Sequence, residues 1–136
     1  MGFLGGLFSK KGDPLAALRA QVEAKPNDPR LAMDLANQLK AQGDLTGAHE
    51  YALRAAQAHI AAGFNAKAVS VLKSAAAWGE PSTELLQALV DVLIDLKHKE
   101  DARGALSQLR RLHVSAGNTG ELSRVDALLT ELGPAR

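Results

Sequence analysis

The chain has 136 residues, a formal net charge of +1 and no cysteine. That length is one domain's worth, large enough to bury a core without staples. The near-zero charge gives no global attraction to nucleic acid or an acidic surface, and the missing cysteine excludes disulfides, thiolate catalysis and Cys-based metal sites. Ala and Leu supply most of the apolar share and aromatics are scarce, a balance that favours helix over strand. No run approaches the roughly 20 apolar residues that a bilayer span needs. The N-terminal apolar stretch is short and broken by glycine, with its lysines after it, unlike a signal peptide. The expected location is the cytoplasm, with peripheral placement at the inner membrane as a variant. The Ala, Leu and Arg usage suits a bacterium with a GC-rich genome.

Residues 1–12, MGFLGGLFSKKG, stand apart as a flexible apolar and basic peptide ahead of a helical domain at 13–136. Phe3, Leu4, Leu7 and Phe8 share a helical face, followed by Lys10 and Lys11, while Gly2, Gly5 and Gly6 weaken any isolated helix. The segment is read in three ways: as folding back over the first helix or fraying, as a docking peptide for another protein, or as a weak membrane-surface anchor with its lysines near anionic headgroups. Gly2 after Met1 also permits a myristoylation start, on a weak signal.

Asp13-Pro14 opens the first helix, with Asp as N-cap and Pro at the first helical position. It runs to about Ala24, with Leu15, Leu18 and Val22 inward. Pro26 and Pro29 enclose the loop that ends it. Helices are then expected at about 30–42, 45–62, 65–77, from Ser82 or Thr83 to about Lys97, 100–116 and 121–132, with residues 117–120 as a loop. The stretch 31–58 is the clearest of these. Leu31, Leu35 and Leu39 line one helical face, Gly43 suits a left-handed C′ position, and Asp44 can cap the next helix. Ala48, Ala52 and Ala55 continue with small side chains that let two helices approach closely.

Shifting the sequence by 54 positions aligns Leu31 with Leu85, Leu35 with Leu89, Leu39 with Leu93 and Ala48 with Ala102. The register continues through His59 and His113, Gly63 and Gly117, Val71 and Val125, and Gly79 and Gly133. The unit is three helices, about 28–81 and 82–135, with the long middle helix serving two hairpins and the first helix capping the stack. Stacked units bury one continuous core and curve into an array with a concave surface.

The hairpin at 31–58 resembles the tetratricopeptide repeat family: large apolar Leu35 and Leu39, small Ala36, Ala48 and Ala55, and the Gly43-Asp44 turn with Leu45 fit its pattern. Ala32 and Leu39 stand where that pattern often has Trp and Tyr. The resemblance covers about residues 13–132 and implies an all-α, right-handed solenoid of helical hairpins, about seven helices in two tandem units plus the capping helix. It also implies a non-catalytic adaptor that binds a partner peptide or helix in the concave groove. The groove positions it implies are Arg30, Met33, Asn37 and Lys40 on the second helix and Glu84, Gln87, Asp91 and Ile94 on the fifth. Asn37 matches the asparagine of the family's carboxylate clamp. Met33 replaces the clamp lysine, and the fifth helix offers acids, so the groove would suit a peptide of mixed charge instead.

The inventory for catalysis is thin. His49, His59, His98 and His113 are candidate bases or ligands, but His59 and His113 occupy matching positions near helix ends, where packing or capping is the better reading. No metal-binding or phosphate-cradling motif appears, and no cofactor or metal is expected. Asp91 and Asp95 share a helix face of the solvated kind. Arg103, Arg110, Arg111 and Arg124 are the nearest approach to a basic patch, but Glu100, Asp101, Glu121 and Asp126 interrupt it, so no nucleic-acid partner is expected. Trp78 is expected to pack at the junction of the units, and the open ends of the stack, with Leu128, Leu129 and Leu132 at one of them, could self-associate. Liposome flotation tests the membrane reading of residues 1–12: flotation abolished by Phe3→Asp with Phe8→Asp supports it, and an intact chain that stays at the bottom of the gradient removes it.

Overall fold

The computed structural model describes residues 14–133; the segment Phe3, Leu4, Leu7, Phe8, Lys10 and Lys11 lies outside them, as does the Asp13 cap. Among the described residues the chain is all-helical, with seven helices. They are α1 (Pro14–Ala24), α2 (Pro29–Ala41), α3 (Leu45–Ala61), α4 (Asn65–Ala76), α5 (Thr83–Asp95), α6 (Lys99–Ala116) and α7 (Thr119–Leu132). None of them is long and apolar enough to cross a membrane.

Local chemistry sets the boundaries. Asp28 caps α2, its carboxylate accepting from the amides of Arg30 at 3.0 Å and Leu31 at 3.3 Å, with Pro29 at the first position. Asp44 caps α3 through the amide of Gly47 at 2.9 Å. A side chain at Gly47 would press on that carboxylate, since a Cβ there would lie 2.6 Å from Asp44 Oδ2. Ser82, rather than Thr83, caps α5, accepting from Leu85 N at 3.1 Å.

Four helix junctions share one turn. After α2, α3, α5 and α6 a left-handed residue is followed by one whose amide reaches five residues back: Asp44 to Leu39 at 2.9 Å, Phe64 to His59 at 2.8 Å, His98 to Leu93 at 2.9 Å and Asn118 to His113 at 3.0 Å. The same turn explains why α7 starts at Thr119 and not near residue 121. Gly117 and Asn118 complete the reversal, so Thr119 and Gly120 fall inside the helix.

Helix starts at 29, 45 and 65 are followed by starts at 83, 99 and 119, each 54 positions later. Every described residue with positive φ falls into the same pairing: Gly43 with Lys97, Gly63 with Gly117, and Gly79 with Gly133. Lys97, at φ 63°, is the one member of these pairs that is not glycine.

Each helix packs on the next in sequence, and α3 also contacts α5. Leu35, Leu39, Leu72, Leu85, Leu86, Leu93, Leu106 and Leu109 are fully buried. Between them Ala36, Ala48, Ala52, Ala55, Ala56, Ala68, Ala75 and Ala102 have no exposed surface, so helix backbones meet over methyl groups. Leu15 and Val22 of α1 are buried as their spacing predicts, whereas Leu18 and Leu31 are only partly covered.

Lys97 carries the cost of a side chain in the left-handed region, of order 1–2 kcal/mol. Lys97→Gly is therefore expected to raise stability by about 1 kcal/mol, and Gly43→Ala to lower it by a similar amount, both read from urea unfolding midpoints.

Candidate interaction surface

The residues expected to line a groove fall into two groups. On α2, Arg30, Asn37 and Lys40 are exposed, while Met33 is half-buried and packs against the core. On α5, Glu84 and Asp91 are exposed, Gln87 is half-buried, and Ile94 packs against the core as Met33 does. Met33 and Ile94 thus contribute mainly to the helix-to-core contact.

The α5 group lines two adjoining cavities. One, of about 550 Å³, gathers Glu84, Gln87 and Asp91 with Gln57 of α3, His113 of α6, Asn118 and Glu121 of α7. The other, of about 460 Å³, lies between the N-terminal turns of α3 and α5 and is lined by Thr46, His49, Glu50, Leu53, Glu80, Ser82 and Glu84. Glu84 belongs to both. The α2 residues line neither, because the helix that flanks α5 on this side is α3. A period and a hydrophobic stripe identify which side chains leave the core but not which helix stands beside them. The sequence reading does not bring in Gln57, Glu121 or Glu80: the first two are polar positions on helices with apolar stripes, a usable signal, whereas Glu80 sits in the α4–α5 connection, outside any stripe.

Polar order within the larger cavity is fixed by neighbouring side chains. Gln87 Nε2 donates to Asp91 Oδ1 at 2.9 Å, which holds both over the same surface. The Asn118 amide nitrogen lies 3.2 Å from His113 Nδ1. An amide nitrogen only donates, so Nδ1 accepts, and the neutral ring carries its proton on Nε2. His113, 5% exposed, thus ties the end of α6 to the start of α7, whereas His98 is exposed. His59, its counterpart in the first half, is partly buried, and burial followed by the nearby Lys67 charge pulls its pKa below the usual imidazole value. Protonation of His59 therefore disfavours the folded state: the associated stability is complete above the ordinary imidazole pKa and declines as pH falls below it.

Trp78 is half-buried just beyond α4. The ring of His49 stacks on it at 6.4 Å between centroids with planes 8° apart, and Lys40 Nζ sits 5.1 Å from the indole centroid. One indole therefore joins α2, α3 and the α4–α5 connection. Beside it, a Cβ on Gly79 would come 2.7 Å from Leu45 Cδ1, so the connection is pressed against the start of α3.

Three of the four arginines nearest to forming a basic patch are engaged with acids or carbonyls. Arg103 donates to the carbonyl of Gly133 at 2.9 Å and of Leu132 at 3.3 Å and lies 2.8 Å from Glu100. Arg110 meets Asp126 at 2.8 Å, and Arg124 meets Glu121 at 3.5 Å. The Arg110 pair raises the pKa of its guanidinium, chiefly by hydrogen bonding. Between α4 and α6, Lys73 Nζ lies 2.8 Å from Asp101 Oδ2, and that hydrogen bond with its charge holds the Asp101 carboxyl below its usual range. The described residues contain no group of three or more His, Asp or Glu side chains placed to hold a metal.

Arg103 is expected to anchor the end of α7. Arg103→Ala should lower stability by about 2 kcal/mol, the scale of hydrogen bonds from a charged group, with amide exchange rising first in α7.

A scan of the chain against protein-family models finds no match, and a search of curated proteins finds no similar one.

Proposed function

We propose that the chain is a non-catalytic adaptor, a tetratricopeptide-like array of helical hairpins whose open face holds a partner protein. The observation that supports this reading is the 54-residue correspondence of helix starts and left-handed residues. Two equal three-helix units set side by side, with α1 against the first, suit a right-handed solenoid in which each unit contacts only its neighbours. Such arrays leave a long surface built from matching faces of successive helices. Here that surface includes the cavities along α5, whose exposed Glu84 and Asp91 have no ion-pair partner among the described residues. Carboxylates without a counter-charge beside a concave surface are a basis for selective recognition of another chain. Residues 1–12 would then be an appendage to this platform.

Capture from native lysate by the intact chain and by a version lacking residues 1–12, read by mass spectrometry, tests the proposal. The expected result is the same partner in both, with loss on Asp91→Lys and slowed amide exchange over Glu84–Asp91 in the complex. Capture by the intact chain alone would move the recognition element to the N-terminal peptide, and turnover of a small molecule at α5 would overturn the adaptor reading.

A further inference from the structure

The cavity between the N-terminal turns of α3 and α5 sets an acidic wall beside a buried, unpaired histidine nitrogen. Its wall holds three carboxylates, Glu50, Glu80 and Glu84, the apolar Leu53 and the ring of His49, with no lysine or arginine among its lining residues. Glu50 is paired with Arg54 of its own helix at 3.1 Å, whereas Glu80 and Glu84 have no ion-pair partner among the described residues. His49 is only 6% exposed, and its Nε2 is buried without a hydrogen-bond partner. A buried polar atom left unpaired carries a penalty that an incoming donor would remove. The Nδ1-protonated tautomer offers Nε2 as an acceptor, and in that tautomer a donor-rich cation matches both the histidine and the carboxylates.

The second half of the molecule supplies a comparison. The residue 54 positions beyond His49 is Arg103, and the residues matching Trp78 and Gly79 are Leu132 and Gly133. Arg103 fills that place with a guanidinium that meets the Leu132 and Gly133 carbonyls and Glu100. In the first half, a histidine with an unpaired nitrogen stands there beside an acidic wall. One half holds its own cation where the other offers acceptors.

We propose that the α3–α5 cavity receives a lysine or arginine side chain from a cationic segment of a partner protein, an inference that rests on the adaptor reading above. Glu80 and Glu84 meet the charge, His49 Nε2 accepts one donor, and Leu53 packs on the alkyl stem. The adjoining cavity shares Glu84 and adds Asp91, so the same sign of charge continues along α5 for the rest of the segment. Gln57 and Gln87 place amide groups on that wall within reach of an extended backbone.

The test uses the isotope-labelled full chain titrated with a short acetylated peptide of Leu, Ala and Lys, and with the same peptide carrying Glu for each Lys. The lysine peptide is expected to shift the amides of Thr46–Leu53 and Glu80–Asp91, and the glutamate peptide to leave them in place. Binding should weaken at least about tenfold in Glu80→Gln with Glu84→Gln, both exposed positions where the fold tolerates glutamine, and again as salt is raised. His49→Phe keeps the stacked ring but deletes Nε2, and should weaken binding several-fold with the spectrum otherwise intact. The proposal is overturned by unshifted amides at millimolar peptide, by equal binding of the glutamate peptide, or by unchanged binding in the double variant. It is equally overturned if the cavity amides move on dilution or on deletion of residues 1–12, since the occupant is then a second copy or the chain's own N-terminus. Lysate capture separates the two levels: a partner retained by the double variant leaves the adaptor standing and removes this site. Peptide shifts at the cavity without any captured partner would do the reverse.

Discussion

The close approach of helix backbones over alanine is the constraint on which the rest depends. Ala36, Ala48, Ala52, Ala55 and Ala56 present methyl groups where α2 and α3 meet their neighbours, and Ala68, Ala75 and Ala102 do so further along. At such separations a larger residue has nowhere to go, and a gap of one methylene would already be felt. Leucines then fill the space to either side of the seam, and their positions follow from where the alanines allow contact. The short turns belong to the same economy. Gly43 with Asp44 and Gly117 with Asn118 reverse the chain over the shortest distance that keeps consecutive helices touching.

Much of this was legible because it is local. The Leu35 and Leu39 stripe, the left-handed fit of Gly43 and the capping by Asp44 depend on neighbours within a helical turn or two, so spacing and residue type suffice. The start of α7 was misplaced for an equally local reason. Gly120 reads as a helix breaker, but it lies in open space within an exposed helix, where glycine costs only about 1 kcal/mol relative to alanine. The indole of Trp78 was placed at a junction by its position in the register. Its actual partners, Lys40 and His49, come from two other helices, and no sequence period connects them.

The surface divides along the same line. Exposure of Glu84 and Asp91 follows from their place opposite the buried Leu85, Leu89 and Leu93 of α5. The family resemblance sets that face in one groove with Arg30 and Lys40 of α2; directly beside α5 stands α3, which brings Glu50 and Gln57. What changes is the sign of the charge: a cavity bordered by both helices would be mixed, and the one between α3 and α5 is acidic. Buried nitrogen at His49 belongs to the same contact and has no signature outside it.

The link from α4 to α5 has a consequence for how the molecule comes apart. Residues 77–82 join the two halves, and there α3 and α4 both pack on α5 within a core that runs from Leu15 to Val125. At the surface the Lys73–Asp101 pair ties α4 to α6 across that seam, and salt and acid both weaken it. A ligand seated between α3 and α5 would straddle the seam. Occupancy would then stabilise both halves together, because each supplies part of the same wall.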